Sequence, residues 1–213
     1  MLALTSFSFS PLQENTYVLY NADREACIID PGCYFPEEKK RLQDFVEQEA
    51  LKPTLLLNTH CHIDHVFGNQ FVFDTWGLIP HFHEKETPVL DLLPLSAQLW
   101  NLKFDIYAGE VAHIREGETI WLGNEELSIL FTPGHSPGSV SFYHEAGKFI
   151  IGGDVLFRGS IGRTDLPGGD YDTLIDSINR EFMTLPPDTT VYSGHGDPST
   201  VAAEKATNPF LND

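Results

Sequence analysis

The chain has 213 residues, 31 acidic against 13 basic side chains, and a formal net charge of −18. A field of that sign repels polyanions, and the largest basic cluster, Lys39-Lys40-Arg41, sits beside Glu37 and Glu38, so no nucleic-acid partner is expected. No apolar run approaches the ~18 residues of a membrane span, the start carries no secretory leader pattern, and three cysteines suit a reducing compartment, so a cytoplasmic protein without a membrane partner is expected.

At this length one domain spanning residues 1–213 is expected. Residues 2–9 alternate polar and apolar side chains, as a half-buried strand does. Residues 16–20 and 26–30 flank a polar stretch at 21–25 and predict a hairpin, which Asp30-Pro31-Gly32 ends. Residues 36–50 predict an amphipathic helix that starts at Pro36 and buries Leu42, Phe45 and Val46. A short buried strand at 53–58 and a helix at 66–75 follow. Residues 78–81 read as a short strand. Residues 84–102 read as leucine-rich helix broken by Pro88 and Pro94, either a wall on the substrate side or a plain packing element. Strands are expected at 118–122, 127–131, 139–143 and 149–152, with a hairpin turn at 143–148. A helix at 170–183 capped by Asp170, a strand at 189–192 and a closing helix at 200–206 complete the chain.

Between the strand at 53–58 and the helix at 66–75 lies Thr59-His60-Cys61-His62-Ile63-Asp64-His65. It packs three of the chain's nine histidines and one carboxylate into a few positions. Imidazole and carboxylate are the ligands that zinc and other borderline divalent ions take. On a strand His60 and His62 would share a face, whereas Asp64 and His65 would point apart, so convergence of all four requires a loop. Three later segments have the same character: Thr132-Pro133-Gly134-His135-Ser136-Pro137-Gly138, Gly152-Gly153-Asp154, and Tyr192-Ser193-Gly194-His195-Gly196. Each offers one ligand from a glycine-rich turn at a strand end, where the backbone can bend sharply. His81 and His83 copy the His-x-His spacing but no partner follows in pattern. His113 and His144 read as loop and turn residues, and Cys27, Cys33 and Cys61 as buried structural residues.

The run His60-x-His62-x-Asp64-His65, with those segments following in order, resembles the signature of the metallo-β-lactamase superfamily, which includes glyoxalase II and the persulfide dioxygenases. The resemblance implies an α/β fold, the αββα four-layer sandwich, with metals in a cleft at one edge of two sheets. It also implies that His60, His62 and His135 hold one metal, that Asp64, His65 and His195 hold a second, and that Asp154 bridges them. The expected cofactors are two divalent ions, zinc foremost, with iron or manganese as alternatives. A metal-bound hydroxide is then the expected nucleophile, with Asp154 setting the metal separation and Asp64 orienting the attacking oxygen.

Gly162-Arg163-Thr164-Asp165 resembles the glyoxalase II-like bacterial hydrolases and the persulfide dioxygenases, and Asn208-Pro209-Phe210-Leu211 resembles the former group. Departures from full-length glyoxalase II are equally plain. Only residues 196–213 follow His195, so no separate C-terminal glutathione-binding helical domain is expected. Gly196-Asp197-Pro198 stands where that family has a tyrosine, and Arg163-x-Asp165 where it has Lys-x-Tyr. The expected function is therefore hydrolysis of a small-molecule thioester in general. The alternative is a persulfide dioxygenase with one iron on His60, His135 and Asp154. Arg163 is expected to contact a substrate anion or to pair with Asp165.

Overall fold

Apolar runs that are buried on both faces decide the architecture. In a computed structural model that describes residues 1–212, β1 (Ala3–Phe9), β2 (Glu14–Tyr20), β3 (Glu25–Ile29), β4 (Lys52–Leu57), β5 (Pro80–His83) and β6 (Ala112–Ile114) form one sheet in that order. β1 to β3 are antiparallel and β3 to β6 parallel. A second sheet contains β7 (Thr119–Leu122), β8 (Glu125–Phe131), β9 (Val140–His144) and β10 (Phe149–Gly153) as an antiparallel meander. The short strands β11 (Leu156–Phe157) and β12 (Ser160–Ile161) pair separately, and then β13 (Thr190–Ser193) and β14 (Ser199–Thr200) complete the second sheet, in the order β14-β13-β10-β9-β8-β7.

Strand side chains alternate between two different cores. In β3, Cys27 and Ile29 point between the sheets while Ala26 and Ile28 point outward. Leu57 and Leu56 divide the same way in β4, as do Ile151 and Ile150 in β10. Such strands read as continuous apolar runs because neither face meets water. The inter-sheet core also holds Leu19, Leu127, Ile129 and Phe142. The outer face of the first sheet is covered by α1 (Pro36–Gln48) through Leu42 and Val46, and by α2 (Asn69–Trp76) through Val72. Two short helices, α3 (Thr87–Asp91) and α4 (Leu93–Leu99), lie over Cys61, Ile63 and Phe67. The outer face of the second sheet is covered by α5 (Tyr171–Ser177) and α6 (Val201–Thr207). The layers are therefore helix, sheet, sheet, helix, the αββα sandwich.

Local signals hold in detail at several ends. Asp170 caps α5 by accepting from the Thr173 N–H at 2.8 Å, and Pro36 opens α1. Four expectations shift. The helix expected at 66–75 begins at Asn69, because Ile63–His65 forms a separate 3₁₀ turn. The helix expected at 170–183 becomes α5 followed by a π turn at Ile178–Phe182. The short strands β6, β11, β12 and β14 are additions to the expected elements. His144 is not a turn residue: it ends β9, is buried, and its ring nitrogen lies 3.0 Å from Glu125. Among the described residues no helix is long and apolar enough to cross a membrane.

Candidate metal centre

The parallel strands β3, β4, β10 and β13 all end at one edge of the sandwich, where open α/β sheets place their sites. Asp30 follows β3, the run 58–65 follows β4, Asp154 follows β10, and His195 follows β13. His135 comes from the β8–β9 connection. Backbone hydrogen bonds tie these ends together: Val140 N to Thr59 O at 2.9 Å, Gly194 N to Gly153 O at 2.8 Å, and Asn15 N to Gly194 O at 2.7 Å. Glycine is required at two points. Gly153 turns the chain into Asp154 with φ of 52°, a left-handed conformation that side chains disfavour. A Cβ on Gly194 would overlap the Asp154 carboxylate and the His65 ring.

The structure brings together all seven side chains singled out by their motifs. His60, His62 and His135 form one trio of donor atoms and Asp64, His65 and His195 another, each within 4.8 Å of one another. Nδ1 of His62 lies 2.8 Å from Nε2 of His135, which lies 3.2 Å from Nε2 of His60. Asp154 reaches both trios. Its Oδ1 is 3.4 Å from His65 Nε2, and its Oδ2 is 3.5 Å from His135 Nε2 and 3.6 Å from His195 Nε2. Asp64 Oδ2 is 3.2 Å from His195 Nε2.

Partners on the far side of the rings say which nitrogen is available. His135 Nδ1 faces the Arg163 carbonyl at 2.8 Å and His195 Nδ1 faces the Gln13 carbonyl at 3.2 Å, so each carries its proton there. His65 Nδ1 lies 3.0 Å from Asp30 Oδ2. Thr59 Oγ1 donates to Asp30 Oδ2 at 2.6 Å, which leaves it to accept from His60 Nδ1 at 3.1 Å. Four Nε2 atoms thus point inward, joined by Nδ1 of His62. Carbonyl and carboxylate buttressing of this kind orients metal-binding imidazoles. His65 Nε2 and Asp154 Oδ1 are buried, face each other at 3.4 Å and make no well-formed hydrogen bond to any other group. Unpaired buried polar atoms are costly, and a cation between them would satisfy both. The donor set therefore fits two divalent ions.

Sequence reasoning missed the buttresses. Asp30 accepts from the Thr59 N–H at 2.7 Å as well as from its hydroxyl, from a left-handed backbone with φ of 49°. Its signal was an acid placed between an apolar strand and Pro31-Gly32. Glu86 is buried and accepts from Cys61 N at 2.8 Å, from Ser136 Oγ at 2.6 Å and from Gly138 N at 2.6 Å, joining the His60–His62 run to the His135 loop. Glu14, also buried, accepts from Thr16 Oγ1 at 2.9 Å beside Asp30 and His65.

The model of the family described as "Metallo-beta-lactamase superfamily" matches residues 9–195. The chain belongs to the metallo-β-lactamase superfamily. It is 39% identical over 203 residues to the "Probable metallo-hydrolase YqgX" of Bacillus subtilis, covering 95% of this chain and 94% of that protein. It is 38% identical over 206 residues to the "Hydroxyacylglutathione hydrolase GloC" of Haemophilus influenzae, covering 94% of this chain and 93% of that protein. Among solved structures it superposes on the BLEG-1 B3 metallo-beta-lactamase with a TM-score of 0.91 at 38% identity, covering 99% of this chain and 100% of that one. It superposes on TTHA1623 in a di-iron-bound form with a TM-score of 0.88 at 37% identity, covering 97% and 100%. This chain is accordingly a metal-dependent hydrolase of the superfamily.

Electrostatics divide this superfamily site into two halves. Burial lowers His60 and His135, and burial with the neighbouring His135 lowers His62 to about 3, so this trio stays neutral. Burial also opposes charge on His65 and His195, but carboxylates outweigh it: Asp154, Asp30 and Asp64 raise His65, and Asp64 and Asp154 raise His195. A raised imidazole pKa favours the protonated ring in the metal-free fold, and a metal must displace that proton. Metal entry at neutral pH should therefore release protons, and loading should fall as pH falls. Calorimetric titration of the metal-free protein in two buffers of different ionisation enthalpy would measure the release; a heat independent of buffer would contradict it.

A pocket of about 640 Å³ opens over the centre, with His62, Asp64, His135, Asp154 and His195 in its floor. Val89, Leu93 and Trp100 put the broken helix on its wall. Arg163 also lines it, but its Nε and Nη2 donate to the two Asp165 oxygens at 2.7 and 2.8 Å. This pairing holds Asp165 down to about 2. Cys61 is buried and burial pushes its thiol well up, as it does Cys33, to about 12. Such thiols are poor nucleophiles. His81 and His83 stay outside the cluster, against backbone carbonyls and Glu116 respectively.

Proposed function

We propose that this chain hydrolyses a small-molecule thioester, in the manner of glyoxalase II, with zinc as the foremost metal. The observation that carries the reading is the pair of donor trios joined by Asp154 beneath a pocket. The GloC relative supports the thioester class through its name. When bound, divalent metals supply acidified water and polarise a carbonyl oxygen.

The chain's own groups have separable tasks. Asp154 holds the two donor trios in register from its two oxygens. Asp64 lines the pocket, where its carboxylate can accept a hydrogen bond from the attacking water and orient it. The Arg163 carbonyl keeps the proton of His135 on Nδ1. The guanidinium N–H groups that Asp165 leaves free are the ones a substrate oxygen would use. No side chain needs to protonate the departing group, because a thiol with pKa ~8.5 leaves readily as thiolate.

The competing reading is a mononuclear iron oxygenase. His60 and His135 nitrogens lie 3.2 Å apart and Asp154 lies 3.5 Å from His135, the donor types of a facial triad. One experiment separates the two. Metal-free protein is reconstituted with zinc, iron or manganese, its metal content measured, and thiol release from thioesters followed beside oxygen uptake with glutathione persulfide. Two metals per chain with thiol release are expected. One metal at full loading with oxygen uptake would overturn the proposal.

A further inference from the structure

The pocket's walls carry more information than its floor. Around the donor atoms the lining is mostly apolar and includes Leu12, Val89, Leu92, Trp100, Phe157 and Leu166. Val89 is nearly fully buried, but Leu92 and Trp100 are 37% and 53% exposed at the rim, apolar area that a bound molecule would cover. A concave, mostly apolar cleft of this size suits an organic ligand of roughly drug size.

Charge in the same cleft points the same way. Arg163 is the one Lys or Arg side chain among the lining residues, and Asp165 occupies two of its guanidinium N–H groups. The other charged liners, Asp64 and Asp154, are acids, and the whole chain carries −18. Arg158, nearby in sequence, faces Asp197 at 3.5 Å and does not line the cleft. Away from the metal centre, free carboxylates or phosphates on a substrate would meet Arg163 alone, whose Nε and Nη2 Asp165 already engages. They would give up hydration for an already neutralised partner, which costs affinity.

We infer that the natural substrate is a thioester whose body beyond the reacting carbonyl is apolar and uncharged, held against the apolar lining that Val89, Leu92, Trp100, Phe157 and Leu166 provide. This rests on the thioester reading above. The apolar body can be the acyl chain or the group on sulfur; both present the same chemistry to these walls. Hydrolysis consumes one water: the C–S bond breaks, a C–O bond forms, and the carboxylate, the thiolate and two protons result.

The test uses metal-reconstituted, full-length protein. In one arm the acyl group of N-acetylcysteamine thioesters is lengthened from acetyl through butyryl to hexanoyl. In the other the S-alkyl group of thioacetates is lengthened over the same range. kcat/KM is expected to rise about fourfold per methylene in the arm that matches the natural substrate, as burial of each CH₂ predicts. Glutathione thioesters should be slower than N-acetylcysteamine thioesters of the same acyl group. Trp100→Ser should flatten the rising series. Flat series in both arms, or a preference for the glutathione carrier, would overturn the inference. A parallel calorimetric series with unreactive S-alkyl thioethers keeps the two claims apart. If no thioester is cleaved, the activity reading fails, while thioether affinity that climbs with chain length still supports an apolar ligand and a flat thioether series overturns it.

Discussion

Asp154→Ala should lower kcat/KM for thioester hydrolysis by about 10³ and leave the protein unable to hold two metals at once. Asp154 is the carboxylate whose separate oxygens approach His65 on one side and His135 and His195 on the other. Its side chain is only 13% exposed, so bulk water cannot replace it cheaply. Loss of a group that fixes metal positions removes several kcal/mol of transition-state stabilisation, about tenfold for each ~1.4 kcal/mol. Burial opposes its ionisation, yet His65 holds its pKa below the usual carboxylate range, while Asp154 helps raise that of His65. In the metal-free fold the two form an ion pair, present between the lowered and the raised pKa and lost on either side. The alanine variant should therefore lose some metal-free stability near neutral pH as well. Elemental analysis with kinetics at saturating metal would check the claim. A variant holding two metals with kcat/KM within tenfold of wild type would remove Asp154 from its bridging position.

The seven donors could be read from the chain because each sits in a short motif with its own glycine or its own strand end. Gly194 and Gly153 mark their neighbours through turn chemistry, which is local and survives in sequence. Local patterns showed strands and helices of a mixed α/β chain, and the layers came from the family resemblance: residues 26–29 and 149–151 are continuous apolar runs, whose division between two cores appears only in the fold. The buttresses could not be read from the chain. Glu86 bonds residues 25, 50 and 52 positions away, and Asp30 bonds Thr59 and His65 across 29 and 35. Glu86 lay in a leucine-rich stretch whose evident property was broken helix, and nothing nearby marked it as buried. β6 has three residues and β11 and β12 two each, too short for a periodicity to show. His144 was misplaced because Glu145-Ala146-Gly147 promised a turn one residue early; the strand runs on because its ring packs on Phe149 and reaches Glu125.

Glu86→Ala should be the most damaging change outside the donor set, and its damage should appear in both stability and metal affinity. Three donors, Cys61 N, Ser136 Oγ and Gly138 N, would be left in a buried space without an acceptor. Each such orphan costs about 1–3 kcal/mol, and the losses share one cavity, so they will not sum fully. A fall of about 10 °C in Tm is the expected scale for a chain of this size. Because Glu86 links the His60–His62 run to the His135 loop, metal affinity should also drop about 10–100-fold. Glu86→Gln separates the two effects. An amide oxygen can keep Ser136 and Gly138, but its NH₂ then faces the Cys61 N–H, donor against donor. Burial raises the Glu86 pKa above 4.5 even though its hydrogen bonds oppose the shift. The folded state thus holds that proton better than the unfolded chain. The stability Glu86 contributes is complete below ~4.5 and declines as pH rises through the raised value. Glutamine has no charge to desolvate and should lack that slope. The glutamine variant should therefore melt between wild type and alanine near neutral pH, with weakened metal binding. Thermal melts across pH, paired with metal titrations, decide it: an alanine variant with wild-type Tm and wild-type metal affinity would show that Glu86 fills space and nothing more.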